Sequence, residues 1–275
     1  MSSPALLVLP DLFPGGGQAM PYAASLAEAL QARLVLLHLR QDAQPTPAEH
    51  PGQHTRRREL KSLLALQNLA SQQPVPASIV VLGDFLPEAV QGIVRQQRPW
   101  ALVLSTPHAG AAPIEVVTST ALDLLRHSHC PLLVLPPGGA PAFAPRRLLL
   151  AVDGHEFTLP DYPRLVPELL ARPGATLELL FVTDQKDPGA GARHRAVHSV
   201  RHSGLAPVPE GTWTNVVYHP DTAQGILQGA AERHADLLVL VARHHSLLGS
   251  LFHRSVTAQL IEARALPLLL VPALN

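Results

Sequence analysis

The chain has 275 residues, 47% of them hydrophobic and only 15% charged, a balance that suits buried sheets and argues against intrinsic disorder. Lys plus Arg and Asp plus Glu both number 21, so no global field recruits nucleic acid or an anionic membrane, and the single cysteine, Cys130, excludes a disulfide framework or a multi-thiolate metal centre. The opening MSSPALLVLPDLF lacks the basic region and long apolar run of a signal peptide, and no stretch approaches the about 20 apolar residues that span a bilayer, so a soluble cytoplasmic protein is expected.

In chain order, strands are predicted near 5–9, 33–39, 77–82, 101–105 and 131–135, with helices near 19–31, 56–72, 86–97 and 117–127 between them. The stretch Pro136 to Arg146, PPGGAPAFAPR, is rich in Pro and Gly and has little to bury, so it reads as a linker. Beyond it the alternation resumes, with strands near 147–152, 176–182, 213–218, 236–241 and 267–271 and helices near 162–171, 192–203, 222–233 and 254–264. Short apolar runs alternating with helical periods are the mark of a parallel sheet covered on both faces. The fold class expected is therefore α/β, with two tandem doubly wound five-stranded parallel-sheet domains at 1–137 and 146–275 joined by a linker at 138–145.

The two halves also repeat in detail. LLVLPDLFPGGGQAMPYAASLAEAL from Leu6 corresponds to LLLAVDGHEFTLPDYPRLVPELL from Leu148, and SHCPLLVLP ending at Pro136 corresponds to RALPLLLVP ending at Pro272. ALVLSTPH (Ala101 to His108) and LLVLVARH (Leu237 to His244) match in between, each preceded by Gln-Gly-Ile (Gln91 to Ile93, Gln224 to Ile226). From the fourth strand onward these landmarks stand about 136 positions apart with no gap required.

Residues that match in this order, twice, resemble the universal stress protein family, specifically its tandem two-domain members. The resemblance rests on AVDGH (Ala151 to His155), LLHLR (Leu36 to Arg40), VVLGDFLPEAV (Val80 to Val90), ADLLVLV (Ala235 to Val241) and the closing SVTAQLIEARALPLLLV (Ser255 to Val271). It implies a strand order of 3-2-1-4-5 in each domain. It also implies pairing of the last strands, residues 132–135 with 268–271, so that the halves form a pseudo-two-fold dimer within one chain. A homodimer and a downstream protein partner are further expectations of the resemblance.

Many members of this family bind ATP at the carboxyl ends of strands one and four, through a Gly-x2-Gly-x9-Gly-(Ser/Thr) loop after strand four. Glycines are needed there because backbone N–H groups must come within hydrogen-bonding distance of phosphate oxygens, which a Cβ obstructs. In this chain the three positions fall on Val241, His244 and Arg254 in the second half, and on Ser105, His108 and Thr118 in the first. None is glycine, and Pro113 removes a further backbone donor. Ser119 and Ser255 keep the closing hydroxyl, Asp11 and Asp153 match the family's nucleotide-side aspartate, and Gly154 follows the latter. Arg243 and Arg254 could replace lost backbone donors with guanidinium groups. The expectation is a non-enzymatic stress-response or regulatory protein with no cofactor bound by the usual loop. The alternatives are a nucleotide switch that takes ATP through Asp153, Arg243, Arg254 and Ser255, and a metal module using His244, His245 and His253.

Other features have plainer readings. Gly15-Gly16-Gly17 lacks the spacing of a dinucleotide fingerprint, and Arg56-Arg57-Arg58 opens a helix of mixed polarity. His194, His198 and His202 share one helical face at i, i+4, i+8, but Arg193, Arg195 and Arg201 surround them and oppose a divalent cation, so a solvated polar face is expected. His127, His129 and Cys130 precede a strand where the family places ordinary polar residues. Neither Gly-x-Ser-x-Gly nor His-Glu-x-x-His occurs, which leaves catalysis without a nucleophile and base.

Overall fold

The computed structural model describes residues 3–10, 12–13, 19–39, 51–83, 86–108, 110–138, 143–160, 164–185, 189–209, 214–243 and 255–274, with the side chains of 51–58, 190 and 192 excepted. The first half runs β1 (Ala5–Leu9), α1 (Ala19–Ala29), β2 (Arg33–Leu39), α2 (Pro51–Ser71), β3 (Ala77–Leu82), α3 (Leu86–Gln97), β4 (Ala101–Ser105), α4 (Ile114–Ser128) and β5 (Leu132–Leu135). The second runs β6 (Arg147–Val152), α5 (Leu165–Leu170), β7 (Thr176–Thr183), α6 (Gly189–Ser203), β8 (Thr214–Tyr218), α7 (Thr222–Glu232), β9 (Leu237–Ala242), α8 (Val256–Ala263) and β10 (Leu268–Pro272).

All ten strands form one sheet in the order β3-β2-β1-β4-β5-β10-β9-β6-β7-β8. Each half thus has the expected order 3-2-1-4-5, parallel throughout, and the halves join where β5 and β10 pair antiparallel, Leu268 with Val134, Leu269 with Leu133 and Leu270 with Leu132. The pairing buries two leucine- and valine-rich strands that would otherwise be exposed edges. It also turns the second domain end for end, so the carboxyl ends of its strands lie along the edge that carries the amino ends of the first.

Apolar side chains alternate across the sheet with period two, and both faces are covered. Leu6 and Val8 join the helices α1, α5 and α6 in one cluster, while Ala5, Leu7 and Leu9 join α3, α4, α7 and α8 in the other. Both clusters draw residues from both halves, so the core runs unbroken through the β5–β10 seam. The central strands β1, β4, β5 and β10 are buried along their whole length, which is why they read as continuous apolar runs.

Several details depart from the expectations. α2 begins at Pro51 instead of near 56, so Arg56-Arg57-Arg58 lie inside it, and α6 begins at Gly189 instead of near 192. α4 begins at Ile114 instead of near 117, because Pro113 starts the first turn and its carbonyl accepts from Val116 N and Val117 N at 3.1 and 3.3 Å. The ungapped register also slips by one residue after this helix. Strand starts keep the spacing of 136, but the left-handed residues that end α4 and α8, His129 (φ 52°) and Arg264 (φ 50°), stand 135 apart. Finally, the two Gln-Gly-Ile segments are not equivalent. Gly92 faces open space, whereas a Cβ on Gly225 would stand 2.5 Å from Val182 Cγ1 and one on Gly229 2.7 Å from Leu180 Cδ2. The strand register sets Ala89 opposite Gly225, so the repeated tripeptide is a coincidence of sequence.

Candidate functional site: the carboxyl ends of β6 and β9

In a doubly wound sheet the crevice opens where the strand order reverses, here between the first and fourth strands of each half. In the second half these are β6 and β9, and each is followed at once by a charged residue named in the sequence. Asp153 succeeds Val152 and Arg243 succeeds Ala242. The two meet across the crevice: Arg243 Nε donates to Asp153 Oδ2 at 3.1 Å and Nη2 donates to Oδ1 at 3.0 Å. This is the bidentate geometry in which a planar guanidinium matches a carboxylate.

The loop after β6 is shaped to the same group. Gly154 takes φ 77°, a left-handed conformation that a Cβ would strain, and the resulting turn lets His155 N donate to Asp153 Oδ1 at 3.0 Å. The carbonyls of His155 and Glu156 are thereby aimed at Arg243, which donates to them through Nη2 and Nη1 at 2.7 Å each. Phe157 is buried beneath, its ring centroid 5.7 Å from the guanidinium carbon, within cation–π range. One residue on, the Thr158 carbonyl accepts from Leu274 N at 2.9 Å, just past β10. The loop therefore crosses from β6 over the ends of β9 and β10, and Arg243, only 17% exposed at its side chain, fastens it there.

Among the remaining candidates, Ser255 caps α8, its Oγ accepting from Ala258 N at 3.2 Å. Ser119 does no such thing. With α4 begun at Ile114, Ser119 lies in its second turn and donates to Val116 O at 3.0 Å, and Thr118 beside it is buried. At the end of β4, Ser105 and Thr106 are buried, with the Thr106 hydroxyl donating to Leu135 O at 3.0 Å. The position matching Arg243 is Pro107, whose carbonyl accepts from Arg264 Nη1 of the second half at 3.1 Å. Asp11, Arg254, His244, His245 and His253, and the glycine run at 15–17, lie outside the described residues.

The histidines of α6 are neighbours, with ring centroids of His194 and His198 6.1 Å apart and those of His198 and His202 4.0 Å apart. His198 Nδ1 stands 4.0 Å from Glu156 Oε1. Among the described residues no group of three or more His, Cys, Asp and Glu is placed to hold a metal ion. Cys130 is fully buried, and burial pushes its thiol pKa up, so it stays protonated and is a poor metal ligand. Sequence reasoning named Asp153, Gly154 and Arg243 but not the carbonyls of His155 and Glu156, whose role depends on a turn and not on their side chains.

A doubly wound α/β sheet repeated in tandem, with its switch points at the ends of strands one and four, defines a Rossmann-like class of fold. The sequence profile of the universal stress protein family matches residues 5–136 and again residues 145–272, and the chain belongs to that family. A universal stress protein from Archaeoglobus fulgidus DSM 4304 is similar in structure, with TM-score 0.68 and 14% identity over 99% of both chains. So is a functionally unknown protein from Pseudomonas aeruginosa PAO1, with TM-score 0.55 and 15% identity, covering 99% of this chain and 93% of that one. No curated protein matches the sequence. Among the described residues, no helix is long and apolar enough to cross a membrane.

Proposed function

We propose that the chain works without catalysis, as a stress-response or regulatory binding protein in which neither half takes ATP by the family's glycine loop. The observation that carries this reading is the commitment of Arg243. As a phosphate ligand it would have to leave Asp153 and the carbonyls of His155 and Glu156, stranding a carboxylate and two acceptors at the mouth of the crevice. In the first half the support is different: the last two positions of the family's phosphate loop, Thr118 and Ser119, are wound into α4, where Ser119 bonds to its own helix.

Calorimetric titration with ATP and ADP tests the proposal. No saturable binding in the micromolar range is expected. Micromolar ATP binding that Asp153→Ala weakens would overturn it and make Asp153, Arg243 and Ser255 nucleotide ligands after all.

A further inference from the structure

A cleft of about 570 Å³ lies far from the strand ends just described, between α1 of the first half and the start of the second. One wall is Glu28 and Ala29 of α1, and the other is Phe143 and Ala144 of the connection with Arg146 and Arg172. The two arginines come together because the connection leads straight into β6 while Arg172 lies in the turn between α5 and β7. Arg172 Nη1 donates to Pro145 O at 3.0 Å, which fixes it against that segment.

Two properties of this cleft point to an anion with an apolar body. Neither arginine has a carboxylate within salt-bridge range among the described residues, and the two guanidinium groups repel each other. Burial first, and then the charge of Arg146, lowers the pKa of Arg172, so an anion between them would relieve an existing cost. At the outer end Phe143 is a large apolar ring that stands 53% exposed.

We propose that this cleft binds a small organic anion, its carboxylate or phosphate head held by Arg146 and Arg172 and its apolar body laid along Phe143 and Ala29. Donors of this kind recognise oxyanions bidentately, and the ring beside them selects a ligand with an aromatic or aliphatic body over a bare ion. Because one wall belongs to each half, the bound anion ties α1 to the second domain and stabilises the chain as a unit.

Titration of the full-length chain with phenyl phosphate and with benzoate, followed by calorimetry, tests this, with inorganic phosphate as the control. One saturable site is expected for at least one organic anion, which also tells a phosphate head from a carboxylate. Arg146→Gln should weaken it about tenfold, since the Arg146 side chain is exposed and the change removes a charge-assisted contact without disturbing the core. Phe143→Ala should weaken phenyl phosphate and leave inorganic phosphate unchanged. Glu28→Gln removes the one carboxylate of the cleft and should tighten binding about threefold, a reading that does not depend on the arginine variant. No saturable binding up to about 10 mM, equal affinity for phenyl phosphate and inorganic phosphate, or indifference to both Arg146→Gln and Glu28→Gln would overturn the assignment.

Discussion

The two halves share one scaffold and solve the same crevice in different ways. In the second half the residues after β6 form an open loop, and Arg243 reaches 90 positions back in sequence to bolt it down through four hydrogen bonds. In the first half the corresponding residue is Pro107, which has no side-chain donor, and the chain after β4 shortens the loop by winding early into α4. One crevice is spanned by a polar latch; beside the other, the helix that follows β4 begins at Ile114. The difference shows that the sheet dictates where a site could form but not what fills it: the strands of both halves are alike, and the divergence is confined to segments that no strand pairing constrains.

The largest expected difference between the halves lies in the helices that follow β3 and β8. α7 approaches β7 so closely that a Cβ at Gly225 or Gly229 would clash with Val182 or Leu180, whereas α3 presents Val90 and Val94 and leaves Gly92 over open space. Gly225→Ala sets a methyl group 2.5 Å from Val182 Cγ1 and 2.8 Å from His219 Cβ, so α7 must lift from the sheet, and a loss of about 1–3 kcal/mol is expected in urea unfolding. Gly92→Ala should do the reverse and stabilise by about 0.5–1 kcal/mol, because it adds helix propensity and meets nothing. Equal effects at the two positions would mean that the helices are packed alike.

Next in size is the latch itself. Arg243→Ala removes two short bonds to carbonyls, the pairing with Asp153 and the contact with Phe157. Asp153 is 55% exposed and solvent screens the ion pair, so most of the expected loss of about 2 kcal/mol comes from the carbonyls and the uncovered ring. Amide hydrogen exchange of His155 and of the Leu274 N–H that bonds to Thr158 should accelerate, while exchange in β1 and β4 stays as it was. Acceleration in both halves would instead make the latch a global element of stability.

The strands were legible because a strand buried on both faces must be apolar throughout, and runs such as ALLVL, ALVLS and LLLVP admit no other reading at that length. The seam between the halves was legible for a related reason, since two apolar last strands cannot be left as edges. The start of α4 was not. A family pattern that places a loop before Ser119 competes with Pro113, whose fixed φ favours a first helical turn, and the proline wins. Nor could a tripeptide match distinguish Gly92 from Gly225, because the closeness of a helix to a sheet depends on residues facing it from β7. Asp153 and Arg243 could be named individually, but their pairing joins residues 90 apart, and the cleft at Arg146 and Arg172 depends on how the halves dock.

The smallest effect concerns the opposite ends of the same strands. At the start of β9, Asp236 N donates to Arg147 O at 2.8 Å, just as Trp100 N donates to Ala5 O at 2.8 Å in the first half. The backbone bond is shared but the side chain is not. Asp236 also accepts from Arg146 N at 3.1 Å, Arg147 N at 2.9 Å and Arg147 Nη2 at 3.3 Å, a carboxylate brace at the entry to β6 where the first half has an indole. Burial alone would raise its pKa, yet these N–H groups and the Arg147 charge outweigh burial and hold it below the ordinary carboxylate value. A carboxylate with a depressed folded-state pKa lends stability that is complete above its unfolded value, about 3.9, and is lost as pH falls through the folded value. Asp236→Asn should therefore cost about 1 kcal/mol at neutral pH and progressively less in acid, so that the denaturation midpoints of variant and parent converge below about pH 4. Trp100→Phe, at the matching place in the first half, should show a cost that does not vary with pH over the same range. A constant gap between Asp236→Asn and the parent from pH 7 to pH 3 would show that the brace acts through shape and not through charge.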